Sequence, residues 1–204
     1  MAITYPLTLS ATPSSVRFSP INRVAISESP FSGVAQTYQH PAQFWEAEVS
    51  YPPLSRDEAE PLVAQLTSLY GVKGTFLLND PAGTSARGIA TGTPLVDGGS
   101  QTGATLATDG WTASKTGILK AGDWIQLGSG STARLYKVLK DANSDGSGDS
   151  TLDIWPNLRS SPANNATITI ASAAGVFRLL SNDLSYQINS ALHYGVTFAC
   201  REAL

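Results

Sequence analysis

Oxygen-bearing side chains at alternate positions mark the stretch Asp141, Asn143, Asp145, Ser147, Asp149, with glycine at Gly146. This matches the first nine positions of an EF-hand calcium loop, where such oxygens wrap a hard cation. The twelfth position, which should supply a bidentate acid, is Leu152. The flanks also read as strands, not helices. A flexible polar hairpin tip between strands at 133–139 and 152–155 accounts for the same residues, and no metal site is expected. Gly110 to Thr116 has the first glycine and the Lys-Thr of a phosphate loop. It lacks the glycine before Lys115 that lets backbone amides approach a phosphate, and no strand-loop-helix context surrounds it.

Catalytic constellations are equally thin. His40 and His193 lie in separate elements, with no acid at metal-ligand spacing and no G-x-S-x-G elbow. Cys200 follows Phe198 and Ala199 in a strand-like run and reads as a small core residue. Glu46 and Glu48 share one face of a strand, as a glycosidase pair would, but surface acids on a strand are far commoner. No catalytic residue and no cofactor is expected. The tryptophans carry more information. Alternation in 124–127 and 152–155 puts Ile125, Leu127, Leu152 and Ile154 on one phase. Trp124 and Trp155 take the other, beside Gln126 and Asp153. Outward tryptophans suit a sugar-stacking platform or an interface anchor; in a closed barrel they also suit packing beneath loops.

The elements that must position these residues are β-rich. Of 204 residues only 14% are charged, while Ser, Thr, Gly and Pro number 24, 19, 18 and 12. These residues favour pleated surfaces and turns. The net charge of −3, from 13 basic and 16 acidic groups, argues against a nucleic-acid binder. A lone cysteine excludes an internal disulfide framework. The opening MAITYPLTLS has neither a basic nor an apolar leader segment, so no signal peptide is expected, and no apolar stretch is long enough to span a bilayer.

Composition also divides the chain. The glutamates are Glu28, Glu46, Glu48, Glu58, Glu60 and Glu202, with none from 61 to 201. From 81 to 175 every acid is Asp, and seven acids balance seven Lys and Arg. This pattern predicts a host domain in two parts, 1–80 and 176–204, interrupted by an inserted domain at 81–175. The first flank predicts strands at 3–9, 15–26 (broken at Pro20), 38–51 and 74–78. Ser55 and Glu58 form a capping box, and Leu62, Val63, Leu66 and Leu69 repeat at helical spacing. Because Pro61 cannot donate to Asp57, the regular helix is expected to begin near Pro61. The middle predicts short strands at 87–91, 105–107, 123–127, 133–139, 152–155 and 166–171, a small OB-like barrel. The closing strands are 176–180, 184–188 and 193–201. The fold class is mainly β with one helix.

Two stretches carry a family resemblance. One is Phe44-Trp45-Glu46-Ala47-Glu48-Val49, the helix through Leu69-Tyr70-Gly71, and Lys73 to Pro81. The other is Val176 to Leu180 followed by His193 to Phe198. In this order they resemble the distal tail (Dit) proteins of long, flexible-tailed bacteriophages, which similarly carry an insertion after an aspartate-proline turn. The insertion, with Gly122 to Gly128 and Leu152 to Pro156, looks like the barrel of some members. The resemblance implies a structural virion component made in a bacterial cytoplasm. It implies a homohexameric ring at the distal end of the tail, joining the tail tube protein to hub or tip proteins. DNA would pass through its lumen without specific binding, and the barrel would project outward, where in some relatives it binds host-surface sugars. The flanks hold the whole net charge, nine acids against six bases. Acidic side chains are therefore expected on part of the lumen, with Glu46, Glu48, Asp57, Glu58 and Glu60 as candidates. A solvated outer surface explains them equally well. The alternative function is a carbohydrate-binding or adhesion module using Trp124 and Trp155.

Overall fold

A computed structural model describes residues 3–204. The chain runs β1 (Leu7–Thr8), β2 (Ser15–Glu28), β3 (Ala35–Ser50), α1 (Arg56–Ser68), β4 (Phe76–Asn79), β5 (Gly92–Val96), β6 (Thr105–Trp111) and β7 (Trp124–Leu127). It continues through β8 (Arg134–Val138), β9 (Ser150–Trp155), β10 (Ile168–Thr169), β11 (Ala174–Leu179), β12 (Tyr186–Ile188) and β13 (Tyr194–Glu202). The protein is mainly β with one α-helix, as its composition predicts.

Two sheets result. The first has the order β1-β4-β11-β13-β3-β2, with β12 added to β13. The second has the order β10-β7-β8-β9-β6-β5. A bridge from Leu95 to Thr167 brings its two ends together, so that it nearly closes into a barrel. Every barrel strand comes from the middle of the chain, and every strand of the first sheet from the flanks. The chain leaves the first sheet after β4 and returns on β11, which pairs beside it with Ala174 opposite Asn79.

Local chemistry explains most departures from the expected elements. The helix starts at Arg56, not near Pro61, because the capping box fixes its first turn. The Glu58 carboxylate accepts the Ser55 N–H at 3.0 Å and its hydroxyl at 2.7 Å. Pro61 costs only the bond to the Asp57 carbonyl, and both residues are exposed, where water can serve that carbonyl. Pro20 does not break β2, because β2 is an edge strand and needs no donor on its outer side. Residues 87–91 are not a strand. Gly88 lies so close to Ile118 that a Cβ there would stand 2.4 Å from its carbonyl oxygen. The backbone at Ile89 and Ala90 still bonds to Gly117 and Ile118 before β5 begins at Gly92.

The barrel interior holds Val96, Leu106, Ile125, Leu127, Val138, Leu152 and Ile154, the phase expected inside. The first sheet packs Trp45, Ala47, Val49, Phe76 and Phe198 against Leu62, Val63 and Leu66 of α1 and Leu69 at its C-cap. That second core does not stop at the flanks. Trp124, Leu135 and Ala173 from the middle of the chain belong to it.

Candidate functional site

Period-two alternation turns Trp124 and Trp155 away from the barrel interior, and the first sheet covers them there. Trp124 is 4% exposed and Trp155 half-buried. The Trp45 ring stands 4.9 Å from Trp124 and 4.3 Å from Trp155, the latter edge-to-face. Phe18 approaches Trp124 at 5.3 Å and Phe177 at 6.3 Å. Such tilted and edge contacts are the favoured geometries of aromatic pairs. Trp124 is thus covered, and both tryptophans pack against the host sheet. They are the barrel's half of an aromatic seam with the host sheet.

Each indole N–H in the seam has an acceptor across it. Trp45 donates to the Leu135 carbonyl at 3.1 Å, Trp124 to Asp80 at 2.9 Å, and Trp155 to Asn22 at 3.0 Å. Lys137 lies 4.1 Å from the Trp124 ring centre, a cation–π contact. Burial pulls its ammonium pKa down, while the Asp80 carboxylate works against that shift. Gln43 accepts the Asn157 N–H at 2.8 Å, and Gln126 accepts the Ala174 N–H at 2.9 Å. An ion pair completes the junction. Arg159, beyond the barrel strand β9, meets Glu202 of β13 at 2.6 Å, with side chains 11% and 1% exposed. Glu202 also accepts the Trp45 backbone N–H at 3.3 Å.

The polar loop at 141–149 is not a flexible tip. Asp141 accepts the Ala121 N–H, Asn143 the Gly117 N–H, and Asp145 the N–H groups of Ser147 and Asp149, all at 2.8–2.9 Å. The backbone N–H groups of Asp149 and Ser147 hold the Asp145 carboxyl below its ordinary range. Oxygens spaced like calcium ligands therefore tie the loop to the segment 114–121. Lys115, the lysine of the near-miss phosphate loop, likewise has its backbone N–H on Ser144. His40 and His193 are not brought together. His40 stands on the β2–β3 hairpin, edge-on to Tyr38, and His193 precedes β13 at the other end of the sheet. Cys200 is fully buried, and burial pushes its thiol up to about 12.

The five acids expected together occupy two surfaces. Glu46 and Glu48 project from the face of the first sheet opposite Trp45, Ala47 and Val49. There Glu48 pairs across with Arg17, and Glu46 with Arg201, which is itself opposite Arg178. Asp57, Glu58 and Glu60 sit on α1, which covers the other face. Glu58 caps the helix, and Glu60 accepts the Tyr194 hydroxyl at 3.0 Å.

One element was invisible in outline. Beyond Asn22 and Gln43, where the register shifts, β2 and β3 leave the sheet as a two-stranded arm. Between residues 22 and 42 everything except Ser29 is exposed, including Val24, Ile26, Phe31, Val34 and Tyr38. Period-two alternation predicts strands there, but nothing in it tells a covered strand from an uncovered one.

No known protein family matches this chain, and no curated protein does.

Proposed function

We propose that the chain is a structural ring component at the distal end of a bacteriophage tail, with the first sheet and α1 forming the ring and the barrel standing out from it. The observation that carries this reading is the junction. A barrel is inserted between neighbouring strands β4 and β11 and is held by buried aromatic, hydrogen-bonded and ionic contacts. Two lobes fixed in one orientation suit a part that transmits geometry between layers of an assembly. In this reading six copies join the tail tube protein to hub or tip proteins. DNA slides past the open face of the first sheet, where Glu46 and Glu48 stand among Arg17, Arg178 and Arg201. The two carboxylates interrupt the arginines, so the face offers no continuous cationic track on which phosphates would release counterions. The helix acids Asp57, Glu58 and Glu60 lie on the other side and take no part in that lining.

Electron microscopy of the purified chain, alone and mixed with tail tube protein, tests this. Sixfold rings or capped tubes are the expected result. A particle without rotational symmetry under both conditions overturns the reading.

A further inference from the structure

We propose that the corner of the first sheet's open face at Arg178 and Arg201 is a docking site for an extended segment of a partner protein. That segment brings a carboxylate to the two arginines and a basic side chain to Glu46. The site is argued from the surface alone and does not rest on the tail reading.

Register places Arg178 of β11, Arg201 of β13, Glu46 of β3 and Ser19 of β2 in one row across the sheet. Neighbouring strands lie about 4.8 Å apart, so the two arginines stand side by side. Like charges directly opposite one another destabilise a sheet unless something neutralises them. Among the described residues neither guanidinium closes an ion pair, although Glu46 stands next in the row. Glu202, the nearest acid along β13, is already engaged: its carboxylate meets Arg159 and accepts the Trp45 backbone N–H. Two adjacent cations are thus left without an anion.

The arginines open into a hollow of about 280 Å³ that Phe44, Glu202 and Leu204 also line. Ala133, carried by the barrel, packs on Val176 and Ala203, so this end of the face is a corner and not a flat sheet. A guanidinium fork grips a carboxylate through two parallel hydrogen bonds. Half-buried Phe44 and exposed Leu204 give the neighbouring side chain of the same segment an apolar contact. The hollow is smaller than the roughly 300–1,000 Å³ of clefts that enclose small molecules. It suits the side chains of a chain laid over it.

Charge selects the class of partner. A nucleic-acid backbone is anionic at every step and needs a run of cations. Here the cations stop at Arg201, and Glu46 and Glu48 stand on the adjacent strand. A protein segment carries both signs, so it alone satisfies the arginines and the glutamates together.

The test selects displayed random peptides on the full-length chain, on a neutral variant (Arg178→Gln/Arg201→Gln) and on a reversed one (Arg178→Glu/Arg201→Glu). Circular dichroism checks each fold. Peptides enriched on the native chain should carry Asp or Glu with Lys or Arg a few residues away. They should bind the neutral variant at least tenfold more weakly, and the reversed variant should enrich basic peptides instead. A synthesised peptide should shift the Nε–H resonances of Arg178 and Arg201 and leave that of Arg56, on α1, in place. No enrichment, enriched peptides without acids, or binding that survives in the neutral variant overturns the proposal. A DNA duplex that displaces the peptide overturns it in favour of nucleic acid. Self-association of the native chain that the neutral variant loses overturns it in favour of a second copy.

Discussion

Trp45 of the first sheet and Trp155 at the end of barrel strand β9 meet edge-to-face with ring centres 4.3 Å apart. The contact joins residues from the two sheets, and side chains of the barrel complete the host core. Replacing Trp45 with Ala removes the ring that touches both Trp124 and Trp155, and leaves the Leu135 carbonyl without its donor. A loss of about 3–5 kcal/mol is expected, as for other large-to-alanine changes in cores. Trp155→Ala, at a half-buried site, should cost less. Urea unfolding followed by tryptophan fluorescence and by far-UV circular dichroism measures both. The two probes should report one shared transition, and separate transitions for the two sheets would refute the seam.

Deleting the barrel tests the same feature from the other side. The composition break alone predicts that joining Asp80 to Val176 through a short linker leaves a folded host. The structure alters that expectation, because the deletion strips Trp124 and Trp155 from Trp45 and Trp124 from Phe18. It also removes Arg159, the ion-pair partner of Glu202. The deletion variant should bind a hydrophobic dye and aggregate. A well-dispersed, cooperative unfolding transition would show that the host core is independent.

The Arg159–Glu202 pair predicts a non-additive pair of substitutions. Arg159→Met strands a buried carboxylate and should cost about 3–5 kcal/mol. Arg159→Met combined with Glu202→Met removes both charges and should recover much of that loss. A double-mutant cycle by chemical denaturation gives the coupling, and additive losses would show that the pair does not act as a unit.

Alkaline stability follows from two neighbours in the host core. Burial, with a smaller push from Cys200, raises the Tyr51 hydroxyl from 10.0 to about 12, and burial raises the Cys200 thiol from 9.0 to about 12. Above the ordinary values the unfolded chain releases protons that the folded chain keeps. Stability is therefore undiminished by these groups below about pH 9 and falls as pH rises toward 12. Denaturant midpoints measured from pH 8 to 11 should decline, and Cys200→Ala should flatten the lower part of that decline. A thiol reagent should react with Cys200 only as the protein unfolds.

Strand phase was legible in the sequence because it depends only on neighbours. Ile125, Leu127, Leu152 and Ile154 fill the barrel, and Trp124 and Trp155 point away from it. What lies over the outward phase is a matter of tertiary contact, so a seam looked the same as an open platform. Arg159 and Glu202 are 43 residues apart, and no spacing rule joins them. The helix was legible through its cap and its apolar repeat, and was misjudged only where one proline was given more weight than the capping box. The acids split between two surfaces because β3 and α1 face opposite ways, which composition does not encode.

The pairing of Ala174 with Asn79 has a mechanical consequence. A pull on the barrel enters the host sheet through two adjacent antiparallel strands at their shared end. Such a load peels the β4–β11 ladder one rung at a time, the weakest direction for a sheet. The tryptophans and the Arg159–Glu202 bridge stand beside that hinge and carry the load in parallel, so the rungs are not strained until the seam itself gives way.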